Sequence, residues 1–540
     1  MAAPSWKQFP NAFSILVIVL LCTNYFAPFG DLDFTWQIRT GRQIVETRQL
    51  RTVEAFTYTI SGRQIPDFEW LYEVILWAIW QTLGFGGLKL LKTILISAPL
   101  LLVSLRLKKE GVGWPGIAVS LLTAFFVLLP MWNLRPLYCT TIGLLLVSGW
   151  LHDHCTGRRS LTWLLPVVML LWANLHPGVI VGQGLLAGAI AWEWLNRYWK
   201  INTPLGREAC WRLTLVGGLG LAATFASPSP LDRLVLPFRP EVGHSIQRIF
   251  VEMQPLYTFI ARPPYTVTLA YILAGLVALS VCVRFRQYRM WELALLVGLT
   301  GLANLAIRSL QDWLLVMLAL GVPHLAVLIN RLRETRKQWK QLPASIATGL
   351  ARTVLKVDVS RRRMLNSRLF RFQPLWPGLT LVVLMAISFI PALAWHMPIQ
   401  NANEWPVAAV DWLESQELHG RFFGMPDYGS YVTWRLGDRA QCYVDTRGFF
   451  FPPELLEDSF YVPQMGDDWR RRLDRVMARG TDYLMLETTG PRGELWQAVR
   501  PHIEQPLYCD KQTAVVSTPQ LKQALQEMDR AVPDHFTAAK

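Results

Sequence analysis

Charged residues are scarce in this 540-residue chain: Asp, Glu, Lys and Arg together make up 17%, where soluble domains carry about 25%. Acidic residues are the scarcer kind, 39 against 53 Lys and Arg, which leaves a formal net charge of +14. The seven cysteines form no C-x-x-C and no Cys/His set, which excludes a zinc site of that kind. No glycine-rich phosphate loop is present, which argues against a nucleotide site in the C-terminal part. No internal repeat is visible, and repeats are the usual sign of a transporter built from two related halves. No A-x-A-like cleavage site follows the first apolar run, so that run reads as a retained span.

What the chain has instead is apolar length. Hydrophobic residues make up 52%, with 24 Trp. Phe13–Leu21, Ile94–Leu105, Ile117–Leu129 and Thr380–Ala394 carry no acidic residue and almost no basic one. With neighbouring residues each approaches the roughly 20 residues that cross a bilayer core. A single soluble core cannot bury so many. The basic clusters Arg106-Leu107-Lys108-Lys109, Arg158-Arg159, Arg284/Arg286/Arg289 and 331–371 flank these runs. In that setting excess Lys and Arg marks cytoplasmic loops, not a nucleic-acid surface.

The signs then fall into step. Lys7 precedes a first span over about 11–29, which runs outward to a polar external loop, 30–67. Residues 68–83, rich in Trp and carrying Glu69 and Glu73, are expected as an interfacial helix, with a true span as the alternative. Spans then alternate through 88–105, 117–129, 137–151, 161–173, a span ending at Arg197, 213–226, 265–283, 293–307, 313–329 and 376–396. This gives about eleven spans, every strongly basic loop in the cytoplasm and the C-terminus outside. Residues 331–372 form a cytoplasmic basic loop held by anionic headgroups.

The chain therefore divides into a membrane domain, 1–396, and a soluble α/β domain, 397–540. In the latter, helices are expected at Val407–Leu418, Asp467–Arg479 and Gln520–Met528. Strands are expected at Gln441–Asp445 and Tyr483–Glu487, and a hairpin at Leu507–Asp510 with Ala514–Ser517. Cys442 and Cys509 are the domain's only cysteines and would be free to pair outside the cytoplasm.

The densest polar cluster is the first external loop, with Asp31, Asp33, Trp36, Gln37, Arg39, Glu54 and Glu69. A carboxylate at the mouth of a span, beside apolar surface, resists ionisation unless paired, which suits a general base or a cation ligand. The bland alternative is a solvated loop with surface pairs such as Asp33 with Arg39.

Gly30-Asp-Leu-Asp-Phe-Thr-Trp-Gln-Ile-Arg-Thr-Gly41, Glu54-Ala-Phe-Thr-Tyr-Thr59 and Glu69-Trp-Leu71 resemble bacterial members of the GT-C glycosyltransferase superfamily. The resemblance continues in Trp172-Ala-Asn-Leu-His-Pro-Gly178, Ile249-Phe-Val-Glu252, Arg308, Tyr428-Gly-Ser-Tyr431 and Tyr443-Val-Asp445-Thr-Arg447. Two positions depart from it: Gln37 stands where His is expected, and Glu54 where Asp is expected.

The resemblance implies a multi-span enzyme of the bacterial inner membrane. Its N-terminus is cytoplasmic and its C-terminal domain extracytoplasmic. It takes a sugar from a polyprenyl-phosphate donor to a glycan, lipid or protein acceptor. It casts Asp31 as general base and Asp33 as its partner, orienting the acceptor or holding a divalent cation such as Mg or Mn. Arg308 and Arg135 would receive the leaving phosphate. Trp36, Arg39, Glu54, Glu69, Asn174, His176 and Glu252 join the substrate-binding candidates, and Asp33, His176 and Glu252 the metal candidates. Asp445 with Arg447 most simply supports a loop. Two other classes compete: a transporter or flippase for lipid-linked saccharide, and a non-enzymatic component of envelope assembly.

Overall fold

A computed structural model describes residues 10–26, 29, 32–235, 250–259, 265–338, 383 and 405–531. The expected span at 376–396, nearly all of the basic loop and Asp31 lie outside the described residues.

The membrane part is helical: α1 (Pro10–Phe26), α2 (Asp33–Thr47), α3 (Trp70–Lys109), α4 (Trp114–Leu128), α5 (Leu137–Cys155), α6 (Leu165–Leu175), α7 (Val179–Trp199), α8 (Arg207–Ala223), α9 (Pro230–Val235), α10 (Tyr265–Arg284), α11 (Met290–Leu305) and α12 (Leu310–Gln338). Among the described residues four helical stretches are long and apolar enough to cross a membrane: Trp70–Lys109, Trp114–Met131, Thr266–Gln287 and Ile307–Arg331. α6 and α11 are apolar but shorter, and the expected count of about eleven spans is not confirmed among the described residues.

The helix expected over 68–83 runs over 70–83 and stops at Gly84, whose φ of 56° and ψ of −147° break the helical path before a second helix runs on to Lys109. That conformation is open to glycine and strained for other residues. One local expectation changes: within the expected polar loop 30–67, α2 forms because Phe34, Gln37, Ile38, Gly41 and Ile44 repeat at helical spacing and bury one face. Gly41 makes the packing possible: a Cβ there would lie 2.0 Å from the carbonyl oxygen of Glu73 on α3.

The C-terminal part is α13 (Val407–Ser415), β1 (Gly420–Phe423), α14 (Pro426–Leu436), β2 (Ala440–Cys442), α15 (Pro453–Tyr461), α16 (Trp469–Ala478), β3 (Tyr483–Glu487), α17 (Glu494–Val499), β4 (Tyr508–Cys509), β5 (Thr513–Ser517) and α18 (Thr518–Ala531). The sheet order is β2-β1-β3-β5-β4. β1 pairs in parallel with β2 and β3, and β5 pairs antiparallel with β3 and β4. Cys442 and Cys509 therefore sit on opposite edges, about 19 Å apart at normal strand spacing. Both are free thiols, and the pairing is ruled out by geometry.

The two parts are welded rather than tethered. One apolar core joins Phe34, Ile38, Tyr72 and Leu76 of the membrane part to Trp405, Met425, Tyr431 and Val432. Full burial of a side chain such as Phe34 contributes about 1.5–3 kcal/mol. The first loop also extends the sheet: the Cys442 N–H donates to the Phe56 carbonyl at 3.0 Å, and the Tyr58 N–H to the Cys442 carbonyl at 3.1 Å. The edge of β2 is thereby paired, and the segment after α2 is held against the C-terminal domain.

Candidate functional site

Asp33 opens α2, so it points out of a helix N-terminus that is fixed by packing on both sides. Its Oδ2 lies 3.2 Å from Nη2 of Arg135, and the other arm of Arg135 pairs with Glu252. Residues from three separate segments thus meet around one guanidinium. Burial raises the Asp33 pKa above the usual aspartate value, with Glu252 pushing the same way; Arg135, the Thr446 hydroxyl and Arg308 oppose it. For Glu252, burial is outweighed by Arg135 and Arg308, and its pKa lies below the usual value. Arg308 contacts the Met253 sulfur at 3.7 Å and the Phe449 ring at 5.7 Å. It makes no ion pair among the described residues.

Two cavities share this wall. The larger, about 980 Å³, lies between the membrane helices and the C-terminal domain, with Tyr138, Phe250, Asp427, Tyr428, Phe460, Glu487 and Arg492 around it. The smaller, about 590 Å³, is lined by Trp36, Gln37, Glu69, His176 and Arg233 and by an apolar side of Ile180, Val181, Leu299, Leu302 and Leu305. Asp33, Arg135, Glu252, Arg308, Thr446 and Phe449 border both.

Glu69 accepts from Gln37 Nε2 at 3.1 Å and stands 3.7 Å from His176 Nε2. Burial, reinforced by Asp67, pushes its pKa up to about 8, so it is mostly protonated at neutral pH. Burial, with Arg308 and Arg233 nearby, pushes the His176 imidazole down to about 3. Its Nδ1 accepts the Gly178 N–H at 3.1 Å and lies 2.7 Å from the Thr140 hydroxyl. His176 is thus a neutral, hydrogen-bonded group.

The remaining candidates sit elsewhere. Asn174 accepts from Trp70 Nε1 at 2.7 Å and donates to the carbonyls of Leu170 and Ala226. Arg39 does not pair with Asp33. It donates to the Thr433 carbonyl and to Asp438, each at 2.6 Å, and covers the Phe56 ring. Glu54 is buried, paired with Arg51 at 2.7 Å and Arg447 at 2.8 Å, and accepts the N–H groups of Phe56 and Thr57. Arg447 also grips Asp445. Arg39, Glu54 and Asn174 border neither cavity. Arg39 and Glu54 hold the first loop to what packs on it, and Asn174 ties the end of α6 to Trp70 and to Ala226 after α8.

Asp33, His176 and Glu252 do not form a metal set. Asp33 and Glu252 share Arg135, the His176 Nδ1 is occupied, and among the described residues no group of three His, Cys, Asp or Glu side chains could hold an ion. Among the described residues, which do not include Asp31, the donors present do not fit a resident divalent cation.

Three site residues escape sequence reasoning. Asp427, at the start of α14, exposes its carboxylate to the larger cavity and makes no hydrogen bond or ion pair among the described residues. Burial by the surrounding wall, with Asp33 beside it, pushes it up to about 6. Asp67 borders the smaller cavity and is pushed up to about 6 by burial. Arg233 lines the same cavity. Only Asp427 has a local signal, a Pro-Asp pair at a helix start beside the Tyr428 motif.

No family model matches the chain, and no curated protein matches it in sequence. Solved structures do match. The oligosaccharyltransferase of Archaeoglobus fulgidus, tethered by a disulfide to an acceptor peptide containing the NVT sequon, superposes with TM-score 0.52 at 10% identity, over 89% of this chain and 69% of that one. Its apo form gives 0.53 at 10% identity, over 90% and 70%. ArnT from Cupriavidus metallidurans bound to undecaprenyl phosphate gives 0.49 at 14% identity, over 96% and 98%. The oligosaccharyltransferase likeness is one of fold. This chain shares that overall fold: a membrane-embedded helical domain with a smaller sheet-containing domain at its C-terminal end.

Proposed function

We propose that the chain is a glycosyltransferase that moves a sugar from a polyprenyl-phosphate-linked donor to an extracytoplasmic glycan, lipid or protein at the bacterial inner membrane. The observation that carries this reading is the shared wall between the two cavities, where the raised carboxylate of Asp33 faces Arg135 and Arg308. A base on one side of a reacting centre and cations on the other are what such a displacement needs.

The smaller cavity, with its leucine-rich side, suits the prenyl chain and phosphate. The larger one, aromatic and carboxylate-bearing, suits the acceptor. Asp33 takes the proton from the acceptor hydroxyl or amine as that atom bonds to the anomeric carbon. The bond from that carbon to the phosphate oxygen breaks, and its electron pair leaves on the phosphate, toward Arg308. Asp31, in the same loop, is the alternative base. Asp427 orients the acceptor from the C-terminal domain.

The test is to reconstitute the purified protein in vesicles with lipid-linked sugars and an envelope extract as acceptor source. Release of free polyprenyl phosphate, together with sugar on a new carrier, supports transfer. Labelled lipid-linked sugar that crosses the bilayer chemically unchanged overturns it in favour of a transporter. An intact donor that stays in place argues for an assembly component.

A further inference from the structure

Arg233 is a buried cation that the reaction outlined above does not use. It lies on α9 after Ser227-Pro228-Ser229-Pro230, its side chain is 2% exposed, and it lines the smaller cavity with His176 and Arg308. Its Nε and Nη2 have no hydrogen-bond partner. Among the described residues it makes no ion pair, and the Phe68 ring, 5.6 Å away, is a weak substitute. Proteins seldom leave a guanidinium in that condition, because an unpaired buried charge is strongly destabilising.

Arg308 is in a similar position, with a sulfur and a ring for company. Both guanidiniums act on the same imidazole, His176, so they flank one part of the cavity. Arg135 adds no free charge, being shared by Asp33 and Glu252. Glu69 is mostly protonated at neutral pH and offsets little. Neither Arg233 nor Arg308 makes an ion pair among the described residues; the Glu252 and Asp33 carboxylates, which feel Arg308 and border the same cavity, are bound to Arg135 instead.

We infer that Arg233 and Arg308 together seat a lipid diphosphate, so that the donor is a polyprenyl-diphosphate sugar. This rests on the transferase reading and narrows its donor. A monophosphate diester brings one negative charge, and a diphosphate diester brings two, matching two guanidiniums that each bind phosphate oxygens in a fork. The bond broken is still that from the anomeric carbon to oxygen, and the leaving group is polyprenyl diphosphate.

The experiment titrates sugar-free polyprenyl monophosphate, polyprenyl diphosphate and inorganic diphosphate against purified protein in nanodiscs, for wild type, Arg233→Met and Arg233→Lys. Wild type is expected to bind the lipid diphosphate at least tenfold more tightly than the monophosphate. Arg233→Met should erase that preference, and Arg233→Lys should keep part of it. Inorganic diphosphate, lacking the chain that meets Leu299, Leu302 and Leu305, should bind at least tenfold more weakly. Without lipid, Arg233→Met should melt at or above the wild-type temperature, since it removes an orphan charge.

Equal wild-type affinity for the two lipids, or a preference that survives Arg233→Met, overturns the proposal. Equal binding of inorganic diphosphate overturns its lipid character. A lower lipid-free Tm with unchanged binding would assign Arg233 to folding instead. Binding is read without turnover. A chain that prefers the diphosphate yet transfers no sugar would sink the transferase reading alone, and the converse result would sink this inference alone.

Discussion

Arg135 holds Asp33 at 3.2 Å across the seam between α2 and the turn that precedes α5, and its other arm reaches Glu252. One guanidinium thereby fixes the geometry of two carboxylates from opposite ends of the membrane domain. Arg135→Met should free both, leaving two buried acids with no shared cation. Sugar transfer should fall more than a hundredfold, and the apparent pKa of the active carboxylate should rise. A pH profile reads this directly, because a purely structural Arg135 would lower the rate without moving the acid limb.

Asp33→Asn keeps the shape and removes the proposed base. Positioned proton transfer contributes about 10²–10⁴-fold, so transfer should fall within that range while lipid-phosphate binding persists. A matched Asp31→Asn variant discriminates between the two carboxylates. Whichever variant abolishes the acid limb of the pH profile carries the base.

For wild type the sign of that limb follows from burial. The base works ionised, so activity is lost as the pH falls through the Asp33 pKa, which lies above the ordinary aspartate value. Stopped assays between pH 4 and pH 8 should place the half-maximum above the ordinary aspartate pKa of about 3.9. Full rate persisting below that value would contradict the assignment.

The Glu54, Arg51, Arg447 and Asp445 network welds the first loop to the C-terminal domain, and Arg51 and Arg447 also border the smaller cavity. Arg447→Met leaves Glu54 and Asp445 buried with less compensation and should destabilise the protein by about 3–5 kcal/mol, measured by thermal unfolding and faster proteolysis in 48–69. Burial alone would raise the Glu54 pKa, but Arg447 and Arg51 hold it below the usual glutamate value. Its stabilisation is therefore present above the unfolded value, about 4.3, and is lost as pH falls through the lower folded value.

Asp427 is one of two carboxylates that the C-terminal domain brings to the larger cavity, the other being Glu487. Asp427→Asn should raise the acceptor KM about tenfold, a loss of roughly 1.4 kcal/mol, with donor binding unchanged. Steady-state kinetics with acceptor varied separates this from a catalytic defect, which would lower kcat instead.

How far the sequence led depends on the kind of signal. Long acid-free runs flanked by Arg and Lys placed most helices, since a bilayer demands length and apolarity from the residues themselves. The strand Tyr483–Glu487 emerged at its predicted residues, and the hairpin of β4 with β5 came close to them. α2 was hidden because Asp33, Arg39 and Arg42 crowd the helical spacing of Phe34, Ile38 and Gly41. β1 was missed because four residues with an exposed Arg421 carry almost no period. The site itself is a matter of convergence. Nothing in the linear chain ties Arg135 to Glu252, or sets Asp427 opposite Asp33. Those relations belong to helix packing and to the close approach at Gly429, where a Cβ would meet the Val444 carbonyl at 2.0 Å.

The most direct test is a structure of the protein incubated with a polyprenyl phosphate. The account predicts phosphate density in the smaller cavity, in contact with Arg308 and reached from the far side by Asp33, with the prenyl chain along Leu299, Leu302 and Leu305. A lipid phosphate bound away from that wall, with the cavity filled by water alone, would contradict it.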